Sequence, residues 1–209
     1  EGIRGRLFGP NGVALGNELG LVLGTSIGHV EVAALTGGGF ALSYEIGNHA
    51  GVAVFDNTGA GPSFSGLSPM VTGEAQPSIA ALSDGGFVTT YRIDTMSGSE
   101  VHARIHEADG ALRKADFIVD GGVGFNGNSA VRALPTGNWA VAWREVENGD
   151  SRVALRIFDQ GGEPASDFAR FDVPNGGSPD LTVLPNGFIV VSWTEHGAGA
   201  VKIGCRLIG

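Results

Sequence analysis

Large apolar residues fall at every second position in short runs along this chain, and each run ends on an aromatic. Four such runs are Phe40-Ala-Leu42-Ser-Tyr44, Phe87-Val-Thr-Thr-Tyr91, Trp139-Ala-Val141-Ala-Trp143 and Ile189-Val-Val191-Ser-Trp193. A period of two belongs to a strand, whose alternate side chains point to opposite faces. Nine residues before each terminal aromatic stands a leucine: Leu35, Leu82, Leu134 and Leu184. These leucines are 47, 52 and 50 residues apart. Between leucine and run lie turn formers such as Ser83-Asp-Gly-Gly86, Pro135-Thr-Gly-Asn138 and Pro185-Asn-Gly187, so each unit reads as strand a, turn, strand b.

A second anchor follows thirteen residues after the aromatic, at Arg104, Arg156 and Arg206. In the first copy the loop is four residues shorter and Ala53 takes the slot. Glycine closes this third strand six residues on, at Gly59, Gly110 and Gly162, and Arg6 to Gly12 fits the same template. In the second copy the four strands are Ser78 to Leu82 (a), Phe87 to Tyr91 (b), Val101 to His106 (c) and Ala115 to Val119 (d). No stretch shows helical periodicity longer than a turn. A four-stranded repeat of about 50 residues has the size of a β-propeller blade. The expected fold is therefore all-β: four such repeats, in a four-bladed propeller closed by N- and C-terminal strands. A sandwich, a solenoid and a five-bladed ring are the alternatives. The chain reads as one repeat domain, 1–209, with copies at 29–76, 77–127 and 128–177 and a composite copy from 1–28 plus 178–209. One c strand is surplus, at residues 3–8 or 201–208, and offers a strand-exchanged homo-oligomer.

Composition narrows the partners. With 13 Lys+Arg against 22 Asp+Glu and no basic run, the chain lacks the positive face that a nucleic-acid backbone needs. Cys205 is the only cysteine, which excludes an intrachain disulfide and a multi-thiolate metal site. Its place in a late strand predicts a buried, inert thiol. No apolar run reaches the ~18 residues of a membrane span, so membrane insertion is not expected. The abrupt opening at Glu1-Gly2-Ile3-Arg4, without a secretion signal, suggests a piece of a longer protein.

Candidate chemistry is spread over the b–c loops, which differ most between copies. They supply Asn48, His49, Asp94, Glu100, Glu195 and His196 as binding candidates. Trp143 joins them as an aromatic platform for a sugar ring, although its recurrence in every copy favours packing with the c-strand arginine, guanidinium over ring. Glu145, Glu147, Asn148 and Asp150 supply oxygens at short spacing, as a Ca²⁺ site would need, without the full loop of such sites. Gly24 to Gly28 and Gly122 to Gly127 match nucleophile-elbow and dinucleotide patterns but lack the helix that both require. Gly121 to Asn126 matches a single degenerate copy of a calcium-binding nonapeptide. None of the five histidines shows metal-ligand spacing.

The combination Pro-x-x-x-x-Leu-x-x-Gly-Gly-Phe-x-x-x-aromatic with Arg-x-x-x-x-x-Gly runs from Pro77 to Tyr91 with Arg104 to Gly110, and a variant with Gly137-Asn138-Trp139 in place of Gly-Gly-Phe runs from Leu134 to Trp143 with Arg156 to Gly162. It resembles a recurrent unit of large secreted bacterial RTX-type adhesins and calcium-binding proteins. That resemblance implies an extracellular, secreted setting, Ca²⁺ as the one cofactor, and a non-enzymatic adhesion module that binds a glycan or an extracellular protein surface. One alternative is a structural spacer in a long adhesin. Another is a polysaccharide-acting enzyme with a pocket on the ring axis, which would need an unrepeated cluster of histidines and carboxylates in one cleft. His102, His106 and Glu107 are its candidates.

Overall fold

The structure is a computed structural model that describes residues 1–67, 75–120, 124–173, 175–197 and 200–209. Seventeen strands are formed and no helix is present among the described residues. Strands β1 (Gly2–Gly5) and β2 (Leu19–Leu23) form an antiparallel pair. A four-stranded meander follows, of β3 (Ile27–Ala34), β4 (Phe40–Ile46), β5 (His49–Phe55) and β6 (Phe64–Leu67). The second meander holds β7 (Ser78–Ala81), β8 (Phe87–Thr95), β9 (Gly98–His106) and β10 (Leu112–Asp120). The third holds β11 (Gly124–Ala133), β12 (Trp139–Glu147), β13 (Asp150–Phe158) and β14 (Ala169–Asp172). A short parallel contact, Gly124 to Gly98 and Phe125 to Ser99, joins these two. The last sheet has three strands, β15 (Gly177–Val183), β16 (Ile189–Gly197) and β17 (Ala200–Ile208).

The leucine anchors mark the turn between the first two strands of each meander. The amides of Leu35, Leu82, Leu134 and Leu184 donate to the carbonyl four residues on, at 2.8–3.1 Å. The third residue of each turn is Gly38, Gly85, Gly137 or Gly187, with φ from 86 to 98°, a conformation that side chains with a Cβ disfavour.

Alternation along each strand then gives every meander two apolar faces, and successive meanders stack on them. Val88, Val101, Ala103 and Ile105 of the second meet Trp139, Val141, Trp143 and Phe158 of the third. Ala140, Ala142, Val153 and Leu155 of the third meet Leu181, Ile189 and Val191 of the last. Ala41, Val52 and Val54 of the first meet Ile79 and Phe87. Such face-to-face burial, at about 25 cal/mol per Å² of apolar surface, is what holds the meanders together.

Two expectations need correction here. Among the described residues the terminal strands do not pair to close a ring: β1 pairs with β2, and Ile3 and Leu21 pack on Leu42, Tyr44, Ala53 and Phe55 of the first meander. Strand β17 remains a sheet edge among the described residues. Cys205 is exposed, not buried, because alternation places it with Val201, Ile203 and Leu207 on the face of β17 that no neighbour covers.

The repeated arginine also behaves differently from expectation. Register sets it opposite the residue two before the aromatic, as in Thr89 to Arg104, Val141 to Arg156 and Val191 to Arg206. Only Arg104 lies over the b-strand ring, 5.5 Å from the Tyr91 centroid. Arg156 sits on Phe168 at 4.2 Å and Arg206 on Phe171 at 4.6 Å.

Candidate functional site

A kink recurs in or just before β3, β7, β11 and β15, the first strands of the three meanders and of the last sheet. His29, Gln76, Asn128 and Ser178 each lie six residues before their leucine, and each has a left-handed backbone, with φ of 45, 47, 50 and 50°. Such a conformation costs roughly 1–3 kcal/mol for a residue other than glycine. In β3, β11 and β15 the pairing register slips at the same point, between Gly28 and Glu31, Gly127 and Ala130, and Gly177 and Asp180. A bulge of this kind re-aims side chains and is common beside functional sites.

The four kinked residues are linked around a common centre. His29 Nδ1 is 3.1 Å from Glu45 Oε2, and the Gln76 amide donates to that same oxygen at 3.4 Å. Gln76 Oε1 accepts from the Asn128 amide at 2.9 Å, and Asn128 Nδ2 donates to Ser178 Oγ at 3.0 Å. They border a cleft of about 420 Å³ walled by β3, β11, β15 and the residues entering β7.

Two carboxylates reach that cleft from β3 and β15, each four residues before its leucine. Glu31 Oε2 accepts from Ser78 Oγ at 2.8 Å and from the Ile79 amide at 3.1 Å. Asp180 Oδ1 accepts from Arg132 Nη2 at 3.0 Å and from the Leu181 amide at 2.8 Å. These bonds fix both side chains while Glu31 Oε1 and Asp180 Oδ2 carry no bond among the described residues. The equivalent positions in the middle copies are Ser78 and Ala130. A carboxylate thus stands at this repeat position in two copies of four, variable chemistry on a repeated frame. They were missed in the sequence because attention went to positions where the copies agree and to the b–c loops. Aligning the copies on their leucines and looking for disagreement would have found them.

The residues singled out from the sequence lie elsewhere or are engaged. Trp143 is fully buried and donates from Nε1 to Asp120 Oδ2 at 3.1 Å, so it offers no platform. Asp94 is paired with Arg92 at 2.9 Å, Glu100 with His102, and Glu195 accepts from Trp193 Nε1 at 2.9 Å. Asn48 and His196 are exposed, and His49 is partly buried where β5 begins. Glu145 is held by Arg170 at 2.8 Å and Glu147 by Arg152 at 3.5 Å. Asn148 forms the hairpin turn at φ 52°, and Asp150 faces Glu147 across it. Among the described residues no three His, Cys, Asp or Glu side chains stand together as a metal site. The nonapeptide match at Gly121 to Asn126 lies partly outside the described residues.

His102 does sit in a carboxylate cluster. Its Nδ1 is 2.7 Å from Asp116 Oδ2 and its Nε2 is 2.9 Å from Glu100 Oε2, and the Tyr91 hydroxyl donates to Asp116. Burial works against a charged His102, but its bonds to Asp116 and Glu100 win and raise its pKa. Burial likewise works against Asp116 as an anion, and the bonds from His102 and Tyr91 prevail to lower its pKa. The cavity beside Tyr91, Arg104 and His106 measures about 10 Å³, room for one water at most. This cluster is a strut between strands.

No protein-family profile and no curated protein matches this sequence. Solved structures do resemble the fold. An endo-arabinase from Bacteroides thetaiotaomicron shares 13% identity over 86% of this chain and 74% of its own, with a TM-score of 0.52. An endo-1,4-β-xylanase from the same organism shares 13% over 88% and 78%, at 0.53. The NanB sialidase of Streptococcus pneumoniae shares 14% over 85% of this chain but 29% of its own, at 0.56. At such identities the likeness establishes the fold, a β-propeller arrangement of the meanders. It overturns the resemblance to RTX-type adhesin repeats, since solved structures that share this fold include several glycoside hydrolases and no family profile or curated protein supports an adhesin repeat. The non-enzymatic adhesion module drawn from that resemblance falls with it.

Proposed function

We propose that this chain is a polysaccharide-acting hydrolase of the propeller type, with its substrate held in the cleft between the inner strands. The observation that carries this is the pair Glu31 and Asp180, two fixed carboxylates with open oxygens on the walls of one cleft. Glycoside hydrolysis needs two carboxyl groups, one to protonate the leaving oxygen and one to activate water or attack the sugar. The resemblance to arabinan-, xylan- and sialoside-cleaving enzymes supports the same class. Gln76, Asn128 and Ser178 would bind sugar hydroxyls along the cleft, and the His29–Glu45 pair would border it. In this proposal β3, β7, β11 and β15 are the inner strands of four blades around one axis, with the β1–β2 pair as a partial blade beside the first. A polymer too large to enter a cell would be met outside it, so an extracellular setting belongs to the proposal.

The test is release of reducing ends from arabinan, xylan and acidic polysaccharides. At least one should be cleaved, and E31Q and D180N should each lower the rate by about 100-fold or more at an unchanged melting temperature. No cleavage of any polymer, or full activity in both variants, would sink the proposal.

A further inference from the structure

Beside the cleft, between the second and third meanders, lies a second cavity of about 410 Å³, a size ordinary for small-ligand sites. It shares Asn128 with the cleft. Asn126, 1% exposed, lines it, and neither Nδ2 nor Oδ1 of its side chain has a partner among the described residues. A buried amide left wholly unbonded is rare and costly, so its natural complement is a ligand that both donates and accepts.

Two guanidinium groups line the same cavity. Arg92 and Arg144 both follow the terminal aromatic of their second strand, where the other copies have Glu45 and Thr194. Each lies over a glycine on the first strand of the following meander or sheet: a Cβ at Gly127 of β11 would meet Arg92 Cδ at 2.9 Å, and one at Gly177 of β15 would meet Arg144 Cδ at 2.5 Å. Arg92 is neutralised by Asp94. Arg144 bonds only neutral groups, the Gly176 carbonyl at 2.8 Å and Ser151 Oγ at 3.3 Å, and has no carboxylate partner among the described residues. In a chain of net charge −9, a half-buried cation without a counter-ion, next to an unbonded amide, is a place prepared for an anion. Phe125, 66% exposed at the rim, offers an apolar face of the kind a sugar ring stacks on.

We propose that this cavity is a subsite for a carboxylated sugar, a uronic-acid residue of the substrate polysaccharide. Its carboxylate lies between Arg144 and Asn126 Nδ2, a hydroxyl donates to Asn126 Oδ1 or Asp94, and the ring lies on Phe125. The inference rests on the glycan-acting function proposed above and names its substrate class.

Ligand-observed NMR titration with glucuronate and galacturonate, against glucose and galactose, tests it without requiring turnover. The acids should bind roughly tenfold or more tightly than the neutral sugars, and rising salt should erode that preference. R144Q should abolish the preference, N126A should weaken acid binding, and E31Q should leave both intact. Should R144Q fail to fold, the wild-type preference and its salt dependence still decide. Acids that bind no better than neutral sugars, or a preference that survives in folded R144Q, would overturn the subsite. If acids bind preferentially while no polysaccharide is cleaved, the subsite stands and the hydrolase proposal fails.

Discussion

Between the second and third meanders, Trp139 stacks on Phe158 with centroids 4.5 Å apart, Phe117 meets both edge-on, and the surrounding valines are fully buried. On the outer face of the last sheet, Val201, Ile203 and Leu207 are 65, 82 and 55% exposed. The strands concerned carry nearly the same alternation, Val153-Ala-Leu-Arg-Ile-Phe158 in β13 and Val201-Lys-Ile-Gly-Cys-Arg-Leu-Ile208 in β17. An apolar alternation therefore specifies a strand with a face fit for burial, and a neighbouring meander decides whether burial happens. Stability should accordingly concentrate in the central stack.

Breaking that contrast takes substitutions on both sides. W139A should cost about 3–5 kcal/mol in urea unfolding, by transfer and cavity terms together. A similar loss from I203A would contradict the comparison. Loss of the Arg170 guanidinium in R170A leaves Glu145, 6% exposed, without its cation, and should cost about 1–3 kcal/mol, again read from the denaturant midpoint. A smaller, pH-dependent effect belongs to His102. Its pKa is raised in the fold, so its contribution is complete below its unfolded value near 6.5 and disappears as pH rises through the folded value. The wild-type midpoint minus that of H102Q should be largest below about pH 6.5 and shrink as pH rises above that unfolded value. Asp116, lowered in the fold, sets the acid limit, since its contribution is lost as pH falls below the ordinary carboxylate range. A difference that grew with pH would reverse the assignment. The least effect is expected from I203A, within about 0.5 kcal/mol of wild type.

The same contrast explains what could be read before any coordinates. The a and b strands and their turns were legible because the leucines and turn glycines are demanded locally, by backbone geometry within each copy. Trp143 kept a sugar platform as a second reading beside packing because an aromatic on an alternating strand looks alike whether a neighbour covers it or a ligand does. Cys205 was misplaced for the converse reason: its neighbours in sequence resemble those of buried strands, and only the missing meander beside β17 exposes it. Glu31, Asp180 and Arg144 were invisible individually. Each is an ordinary charged residue until three different copies bring such positions to one end of the stack.

The kink at His29, Gln76, Asn128 and Ser178 carries one more consequence. The backbone holds the same unusual angle under an imidazole, two amides of different length and a hydroxyl, so the kink depends on the strand's surroundings and not on the side chain displayed. Display and scaffold are decoupled at these points. The chain holds four sockets of one shape whose contents can be exchanged singly, and a new specificity at the cleft would cost a change of plug without a change of fold.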